Sequence, residues 1–107
     1  MLPHTKAVKL HAEARAEMRE SVLFYRERAG ERWAECFKQR VAEELKAIAA
    51  NPERYPPAPD LPGVRRIRLK QFPFSLLYLD RPDYIWVVAV AHGRRKPGYW
   101  RDRISST

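Results

Sequence analysis

Residues 84–90 read YIWVVAV and continue without a break into AHGRRKPGYWR at residues 91–101. The first part is apolar throughout and rich in β-branched residues, which is typical of a strand buried on both faces. The second part holds one histidine, three consecutive cations and two aromatic residues. A buried strand that leads into exposed cations and rings favours a site for phosphate and bases. The alternative interpretation is a solvated strand end followed by a C-terminal tail.

Length and cysteine content restrict the class of protein. The chain has 107 residues and is predicted to form one domain, large enough to fold without disulfides or metal. Cys36 is the only cysteine, so no intramolecular disulfide can form, and we expect it in the core rather than as a reactive thiol. The sequence has no signal-peptide-like region and no apolar run of about 18 residues. We therefore expect a reducing, cytoplasmic setting.

The charge of the chain is distributed unevenly. Residues 1–63 carry 11 Lys and Arg against 10 Asp and Glu, a net charge of +1, whereas residues 64–107 carry 10 against 3, a net charge of +7. Nearly all of the excess positive charge therefore lies in the C-terminal part. This asymmetry indicates a polyanionic partner: nucleic acid, an anionic membrane or an acidic protein.

The periodicity of apolar residues predicts the element order β-α-α-β-β-β. Residues 6–11 alternate as a short strand, and from about Ala12 the period becomes helical. Gly30 is expected to end the first helix in a left-handed conformation, and Asn51-Pro52 to stop the second. Because the connection between the two predicted helices is so short, an antiparallel helical hairpin is expected. Its apolar faces are Ala14, Met18, Val22, Tyr25 and Ala29 in the first helix, and Trp33, Phe37, Val41, Leu45 and Ile48 in the second.

A proline-rich connection and three further strands complete the predicted domain. Residues 51–63 contain five prolines, which indicates a stiff, extended segment rather than a domain boundary. Strands are predicted at 64–70, 74–79 and 84–91, with a tight turn at 81–83 and a short C-terminal candidate helix. The hairpin needs a sheet to cover its apolar face. We therefore expect an α+β fold in which the hairpin packs on a mainly antiparallel sheet with a three-stranded C-terminal meander.

The candidate site residues are cations that the strands bring to the sheet. Arg66 and Arg68 lie two apart on a predicted strand, so both point to one face. Arg94, Arg95 and Lys96 leave the end of another strand, and we expect all five to share a concave, open face of the sheet. Guanidinium groups bind phosphate in a bidentate manner and can stabilise charge on a transferring phosphoryl group.

Two aromatic residues and a histidine each admit two interpretations. Tyr99 and Trp100 could stack on bases, although a role as a core plug is favoured for Trp100. His92 could act as a general acid or base, although a hydrogen bond that holds the turn is the favoured role. His4, His11 and His92 lack the spacing of a metal site, and no acidic cluster accompanies them. No metal or cofactor is therefore predicted.

The ordered set of motifs resembles the RelE/ParE superfamily, the toxins of bacterial type II toxin–antitoxin modules. The resemblance covers about residues 6–103 and lies in the element order together with RRIRL (65–69), FPFSLLY (72–78) and VAHGRRKPGYW (90–100). It implies a single toxin domain over residues 1–107 with no cofactor. The phrase HGRR at 92–95, with Pro97 and Trp100, is most similar to the ParE-like, plasmid-stabilisation branch.

The superfamily contains two mechanisms, and the resemblance implies different residue roles in each. RelE-like members cleave mRNA in the ribosomal A site, whereas ParE-like members act on DNA gyrase without RNase activity. The middle-strand arginine of RelE-like members is replaced here by Ser75, and Trp100 cannot exchange a proton, so both departures favour the ParE-like branch. In the RelE-like case the catalytic residues would be Arg66, Arg68, Arg94, His92 and Trp100.

We therefore expect a growth-inhibiting, ParE-like toxin that acts on DNA gyrase, has no membrane partner and is neutralised by a cognate antitoxin. The antitoxin would cover the basic face, and residues 72–79 are a candidate contact by strand addition or by packing of an antitoxin helix. The second interpretation is a ribosome-dependent mRNA endoribonuclease (mRNA interferase), and the third is a non-toxic basic nucleic-acid-binding module. The residues expected to bind the target or nucleic acid are Arg66, Arg68, Arg94, Arg95, Lys96, Tyr99 and Trp100.

Overall fold

A computed structural model describes residues 6–58 and 61–105. The four strands form one sheet in the order β1-β4-β3-β2, in which β1 runs parallel to β4 and the other neighbours are antiparallel. This arrangement confirms the predicted α+β fold with its antiparallel meander. The elements are β1 Ala7–Leu10, α1 Ala12–Ala29, α2 Glu31–Ala50, β2 Val64–Arg68, β3 Phe74–Asp80, β4 Tyr84–His92 and α3 Arg101–Ser105.

The strand boundaries differ slightly from the predicted ones. β2 ends at Arg68 rather than at 70, because the chain turns through Gln71, which has φ 72°. β3 and β4 are each one residue longer than predicted and end at Asp80 and His92. Two residues used in the sequence interpretation, His4 and Pro59, lie outside the described residues. Within the described part of the chain, no helix is both long and apolar enough to cross a membrane.

Gly30 joins α1 and α2, which pack against each other on one face of the sheet. Its φ is 100°, a backbone conformation that favours glycine, as the sequence predicted. The Gly30 N–H donates to the Tyr25 carbonyl at 3.0 Å, and the Gly30 carbonyl accepts from the Ala34 N–H at 3.2 Å. A single residue therefore both ends α1 and begins α2, which produces the predicted hairpin.

An aromatic cluster centred on Phe37 fills the space between the hairpin and the sheet. The ring centroid of Phe37 lies 5.2 Å from those of Tyr25 and Phe72 and 5.0 Å from that of Phe74. Offset and edge-to-face contacts at these distances are favourable beyond the area that they bury. Cys36, which was predicted to lie in the core, is half-buried and packs against this cluster.

Two residues assigned to the buried faces of the helices lie at the surface instead. Trp33 is 39% exposed, and Ala29 is also exposed. Both predictions are wrong because these residues flank the chain reversal at Gly30, at the margin of the core. The Trp33 ring still contacts Phe72, with centroids 5.1 Å apart.

Trp100 covers the opposite face of the sheet. It is buried, which confirms the predicted core plug, and its cluster includes Val64, Leu77, Trp86 and Val88. β4 is therefore covered on both sides, and residues 85–90 are all buried. Because α3 begins directly after Trp100, the chain segment that follows β4 is tied to the sheet.

We expect Phe37→Ala to lower the free energy of unfolding by about 3–5 kcal/mol, because it leaves a cavity at the centre of the aromatic cluster. The matched control is Phe24→Ala, which deletes the same ring from a position that is 53% exposed and should cost less than about 1 kcal/mol. Urea unfolding followed by circular dichroism measures both values. Equal losses would show that Phe37 is not the centre of the core.

Candidate functional site

A cavity of about 170 Å³ opens where the end of β4 and the loop after it meet the face of the sheet opposite the hairpin. Its cations are Arg66 from β2, Arg95 and Lys96 from the loop, and Arg101 at the start of α3. The hydroxyl-bearing Ser75 of β3 also lines it. None of the residues that line this cavity, all of them described, is Asp or Glu. We call it the basic cavity.

The cations of the basic cavity have no carboxylate partner in the part of the chain that the structure describes. Within residues 6–58 and 61–105, no ion pair or side-chain hydrogen bond involves Arg66, Arg95, Lys96 or Arg101. Cations elsewhere do pair with acids, as Lys6 does with Asp80 at 2.6 Å. The charge at the basic cavity is therefore available to an external anion, for which Arg and Lys form strong charge-assisted hydrogen bonds.

The structure brings together only part of the predicted set of cations. Arg68 pairs in register with Ser75 and is exposed, but it does not line the basic cavity. Arg94 lines a second groove of about 360 Å³, against Phe24 of α1 and Phe74 of β3. The prediction that Arg94 shares one face with Arg66 and Arg68 is therefore wrong. Neighbouring residues diverge after a strand ends, and Arg95 is the one cation among the described residues that lines both the cavity and the groove, together with His92 and Tyr99.

His92 holds the turn that follows β4. Its Nδ1 accepts the Arg94 N–H at 3.0 Å, and its carbonyl accepts the Arg95 N–H at 3.0 Å. Its ring lies edge-on to Phe74, with centroids 5.0 Å apart. These contacts match the structural role favoured from the sequence. Among the described residues, no group of three or more His, Cys, Asp or Glu side chains could hold a metal ion.

The two aromatic residues after the loop are both engaged within the protein. Trp100 is buried in the layer beneath the basic cavity, so only one wall of its side chain borders that space. The Tyr99 hydroxyl donates to Glu17 Oε2 at 2.7 Å. Burial, together with this hydrogen bond and the nearby Glu17 charge, raises the pKa of Tyr99. Tyr99 therefore remains protonated at neutral pH, and its hydroxyl is directed at Glu17.

Sequence analysis missed a buried ion pair that joins α1 to α3. Arg103 Nη1 and Nη2 donate to the two carboxylate oxygens of Glu17, each at 2.9 Å, and Nη1 also donates to the Val88 carbonyl at 2.9 Å. The side chains of Glu17 and Arg103 are only 13% and 10% exposed. One signal was available: Glu17 follows Ala14 by three residues, a spacing that places a carboxylate beside the buried face of α1.

The environment of Glu17 favours its charged form. Burial alone would raise the pKa of Glu17, but the hydrogen bonds from Arg103, Tyr99 and the Val90 N–H, with the Arg103 charge, outweigh it and lower the pKa. Conversely, the hydrogen bonds to Glu17 raise the pKa of Arg103 against the opposing effect of burial. Both groups are therefore ionised at neutral pH.

The α+β fold, with a hairpin on one face of the sheet and a basic strand-end loop on the other, is that of the RelE/ParE superfamily. The family described as "ParE toxin of type II toxin-antitoxin system, parDE" matches residues 8–97, so the chain belongs to the ParE toxin family. A similar solved structure, "Chromosomal ParDE TA system from P. aeruginosa", has a TM-score of 0.72 and 22% sequence identity, covering 83% of this chain and 97% of that chain. No curated protein matches the chain.

We expect Glu17→Gln to lower stability at pH 7 by about 3 kcal/mol, because it removes the buried, bidentate carboxylate partner of Arg103 and leaves the ion pair with the exposed Glu13, at 3.1 Å, to carry more of the compensation. It should also weaken the acid dependence of folding. Since the pKa of Glu17 is lowered from 4.5 in the folded state, its contribution to stability is present above that value and is lost as the pH falls through the lower folded value. Urea unfolding between pH 7 and pH values below the ordinary Glu range measures this loss.

Glu27→Gln is the matched control, because Glu27 is an exposed residue of the same helix and the change in net charge is identical. It should leave both stability and its acid dependence close to those of the original chain. An unchanged pH dependence in the Glu17 variant would show that the carboxylate of Glu17 is not the group that titrates.

Proposed function

We propose that this chain is a ParE-type toxin that inhibits DNA gyrase and is neutralised by a cognate antitoxin. The observation that carries the proposal is the basic cavity, where four cations surround a space that no Asp or Glu among the described residues lines. Such a cavity can bind an anionic surface without carrying out a reaction on it. Membership of the ParE toxin family supports gyrase as the target.

The chemistry of the cavity argues against RNA cleavage. Attack by a 2′-hydroxyl needs a base, an acid and stabilisation of the developing charge. The cations can supply only the last of these, and Ser75 brings no charge to the middle strand. Tyr99 is held protonated by Glu17, Trp100 has no exchangeable acid–base group, and His92 Nδ1 is occupied by a backbone N–H.

The basic cavity supports a division among the candidate target-binding residues. Arg66, Arg95 and Lys96 converge on one space and would act together on a phosphate or carboxylate group. Arg68 and Arg94 lie outside that space and would contribute to the surrounding positive field rather than to the same contact. We therefore assign the principal target contact to the basic cavity.

We expect the purified chain to inhibit supercoiling of relaxed plasmid by gyrase. In the double variant Arg66→Ala/Arg95→Ala, the half-inhibitory concentration should rise by about tenfold or more, because each lost guanidinium removes a charge-assisted contact. The measurement is a supercoiling assay over a concentration series of each protein, with folding checked by circular dichroism.

The control is Arg19→Ala/Arg32→Ala, which removes the same charge from exposed helical positions without ion pairs within the described residues. It should inhibit as the original chain does. Cleavage of ribosome-bound mRNA with supercoiling unaffected would establish RelE-like chemistry in place of the proposal. Nucleic-acid binding with neither effect would identify a binding module.

The antitoxin contact cannot be a strand added to β3. That strand is paired with β2 on one side and β4 on the other, so the strand-addition mode suggested for residues 72–79 is wrong. The groove lined by Phe24, Arg94 and Arg95 offers both apolar surface and positive charge. Glu17 and Glu20 line it as well, and the charge of Glu17 is balanced by Arg103. Leu23, which is also exposed, lies beside Phe24 on α1. We therefore place an antitoxin segment with acidic and apolar residues along this groove and the neighbouring basic cavity.

Association of the toxin with its antitoxin is expected to slow as salt is added. The positive charge of residues 64–107 steers an acidic partner over long range, and salt screens this steering with a Debye length of about 8 Å at physiological ionic strength. Apolar anchors should hold the complex once formed, so dissociation should depend less on salt. Stopped-flow mixing across a salt series measures both rates. If the association rate does not depend on salt, the basic surface is not the docking surface, and the antitoxin contact would be assigned to the helical hairpin.

A further inference from the structure

Arg95 of the basic cavity is held in place by an aromatic ring. Its guanidinium carbon Cζ lies 3.8 Å from the ring centroid of Tyr99, within the range of a cation–π contact. Arg103 contacts the same ring, with Cζ 5.0 Å from the centroid. The position of the Arg95 guanidinium therefore depends on the position of the Tyr99 ring.

The Tyr99 ring is in turn fixed by Glu17 of α1. Oε2 of Glu17 accepts the Tyr99 hydroxyl at 2.7 Å and Arg103 Nη2 at 2.9 Å. Oε1 accepts Arg103 Nη1 at 2.9 Å and the Val90 N–H at 3.0 Å. Four donors thus saturate one carboxylate, which leaves it little freedom to move.

This arrangement is anchored on the backbone of β4. β1 pairs with β4 only over residues 84–87, and the His11 N–H donates to the Val87 carbonyl at 2.8 Å. Beyond that point Arg103 donates a hydrogen bond to the Val88 carbonyl, and Glu17 accepts one from the Val90 N–H. Because the buried middle of β4 is among the least mobile parts of the sheet, Glu17 and Arg103 are tied to a rigid base.

The loop between β4 and α3 is consequently fixed at both ends. His92 accepts the Arg94 and Arg95 N–H groups at its start, and Tyr99 is fixed at its end. We propose that Glu17 and Arg103 are positioning residues, which act through Tyr99 to hold Arg95 at the basic cavity in the geometry required for target contact. The functional part of this inference rests on the proposed inhibition of gyrase, but the positioning itself can be measured without gyrase.

The test is Tyr99→Phe, which keeps the ring and removes the hydroxyl that binds Glu17. The ring current of Tyr99 should shift the Arg95 Hδ protons upfield in the NMR spectrum of the original chain. In Tyr99→Phe and in Glu17→Gln this shift should decrease, and in Tyr99→Leu it should vanish.

The fold and the inhibitory activity of Tyr99→Phe are measured as well. Amide hydrogen exchange in β3 and β4 should remain unchanged in this variant. The half-inhibitory concentration of the Tyr99→Phe variant against gyrase should rise by about two- to fivefold, which is the change expected when one exposed cation–π contact is lost.

The matched control is Tyr84→Phe, which removes a hydroxyl from another half-buried tyrosine whose ring is also approached by a cation, Lys9. It should change neither the Arg95 shift nor inhibition. An unaltered Arg95 shift in Tyr99→Phe would overturn the positioning role, even if Glu17→Gln proves too unstable to study. Altered shifts with unchanged inhibition would also overturn it, provided that Arg95→Ala weakens inhibition. If Arg95→Ala has no effect either, the assignment of the target contact to Arg95 fails and the positioning by Glu17 stands, whereas a failure of the original chain to inhibit gyrase would refute the proposed function.

Discussion

The ion pair between Glu17 and Arg103 is the interaction on which the C-terminal half of this fold depends. β1 is only four residues long, and it leaves the second half of β4 without a strand partner on that side. Unpaired backbone groups in so buried a strand would cost as much as lost hydrogen bonds. Glu17 and Arg103 replace the missing strand, because Glu17 accepts a hydrogen bond from the Val90 N–H and Arg103 donates one to the Val88 carbonyl. The same two side chains neutralise each other, so that neither charge is buried alone.

The positive charge at the basic cavity depends on the scarcity of carboxylates around it as well as on its cations. Residues 64–107 contain only three acids, and one of them, Asp80, pairs with Lys6 at the far end of β3. Glu17, which accepts the Tyr99 hydroxyl at the end of the loop, is already occupied by Arg103 and Tyr99. Within the described residues the cations of the basic cavity form no ion pair, so no direct carboxylate contact relieves their mutual repulsion. Such mutual repulsion does not help folding, and a local cost of this kind is expected where a surface serves a function.

Local periodicity was enough to predict most of the fold. The alternation in β1, the helical spacing of α1 and α2, and the continuous apolar run of β4 each determine an element from neighbouring residues. Gly30 made the hairpin predictable, because few other residues adopt its backbone conformation. Periodicity failed for Trp33, where the spacing was right but the residue lies close to the chain reversal at Gly30, at the margin of the core. The spacing of apolar residues in a helix indicates which of its faces is apolar, but it does not indicate how much of that face the sheet covers.

The candidate site was less predictable, because its geometry depends on contacts between distant parts of the chain. Arg103 lies 86 residues after Glu17, and nothing in either local sequence indicates that they meet. Arg94 and Arg95 are adjacent and chemically identical, yet Arg94 lines only the groove against α1, whereas Arg95 also reaches the basic cavity. Only the path of the loop, set by His92 at one end and Tyr99 at the other, distinguishes them.

The same loop leads into two aromatic residues, Tyr99 and Trp100, that both serve the packing of the protein. Trp100 is used to cover the sheet, and this places α3 where Arg103 can reach Glu17. The Tyr99 hydroxyl then donates to Glu17 of that pair, while the Tyr99 ring contacts the Arg95 guanidinium. The packing that stabilises this part of the chain therefore also fixes the position of a cation at the basic cavity, which is the surface that we propose for target contact.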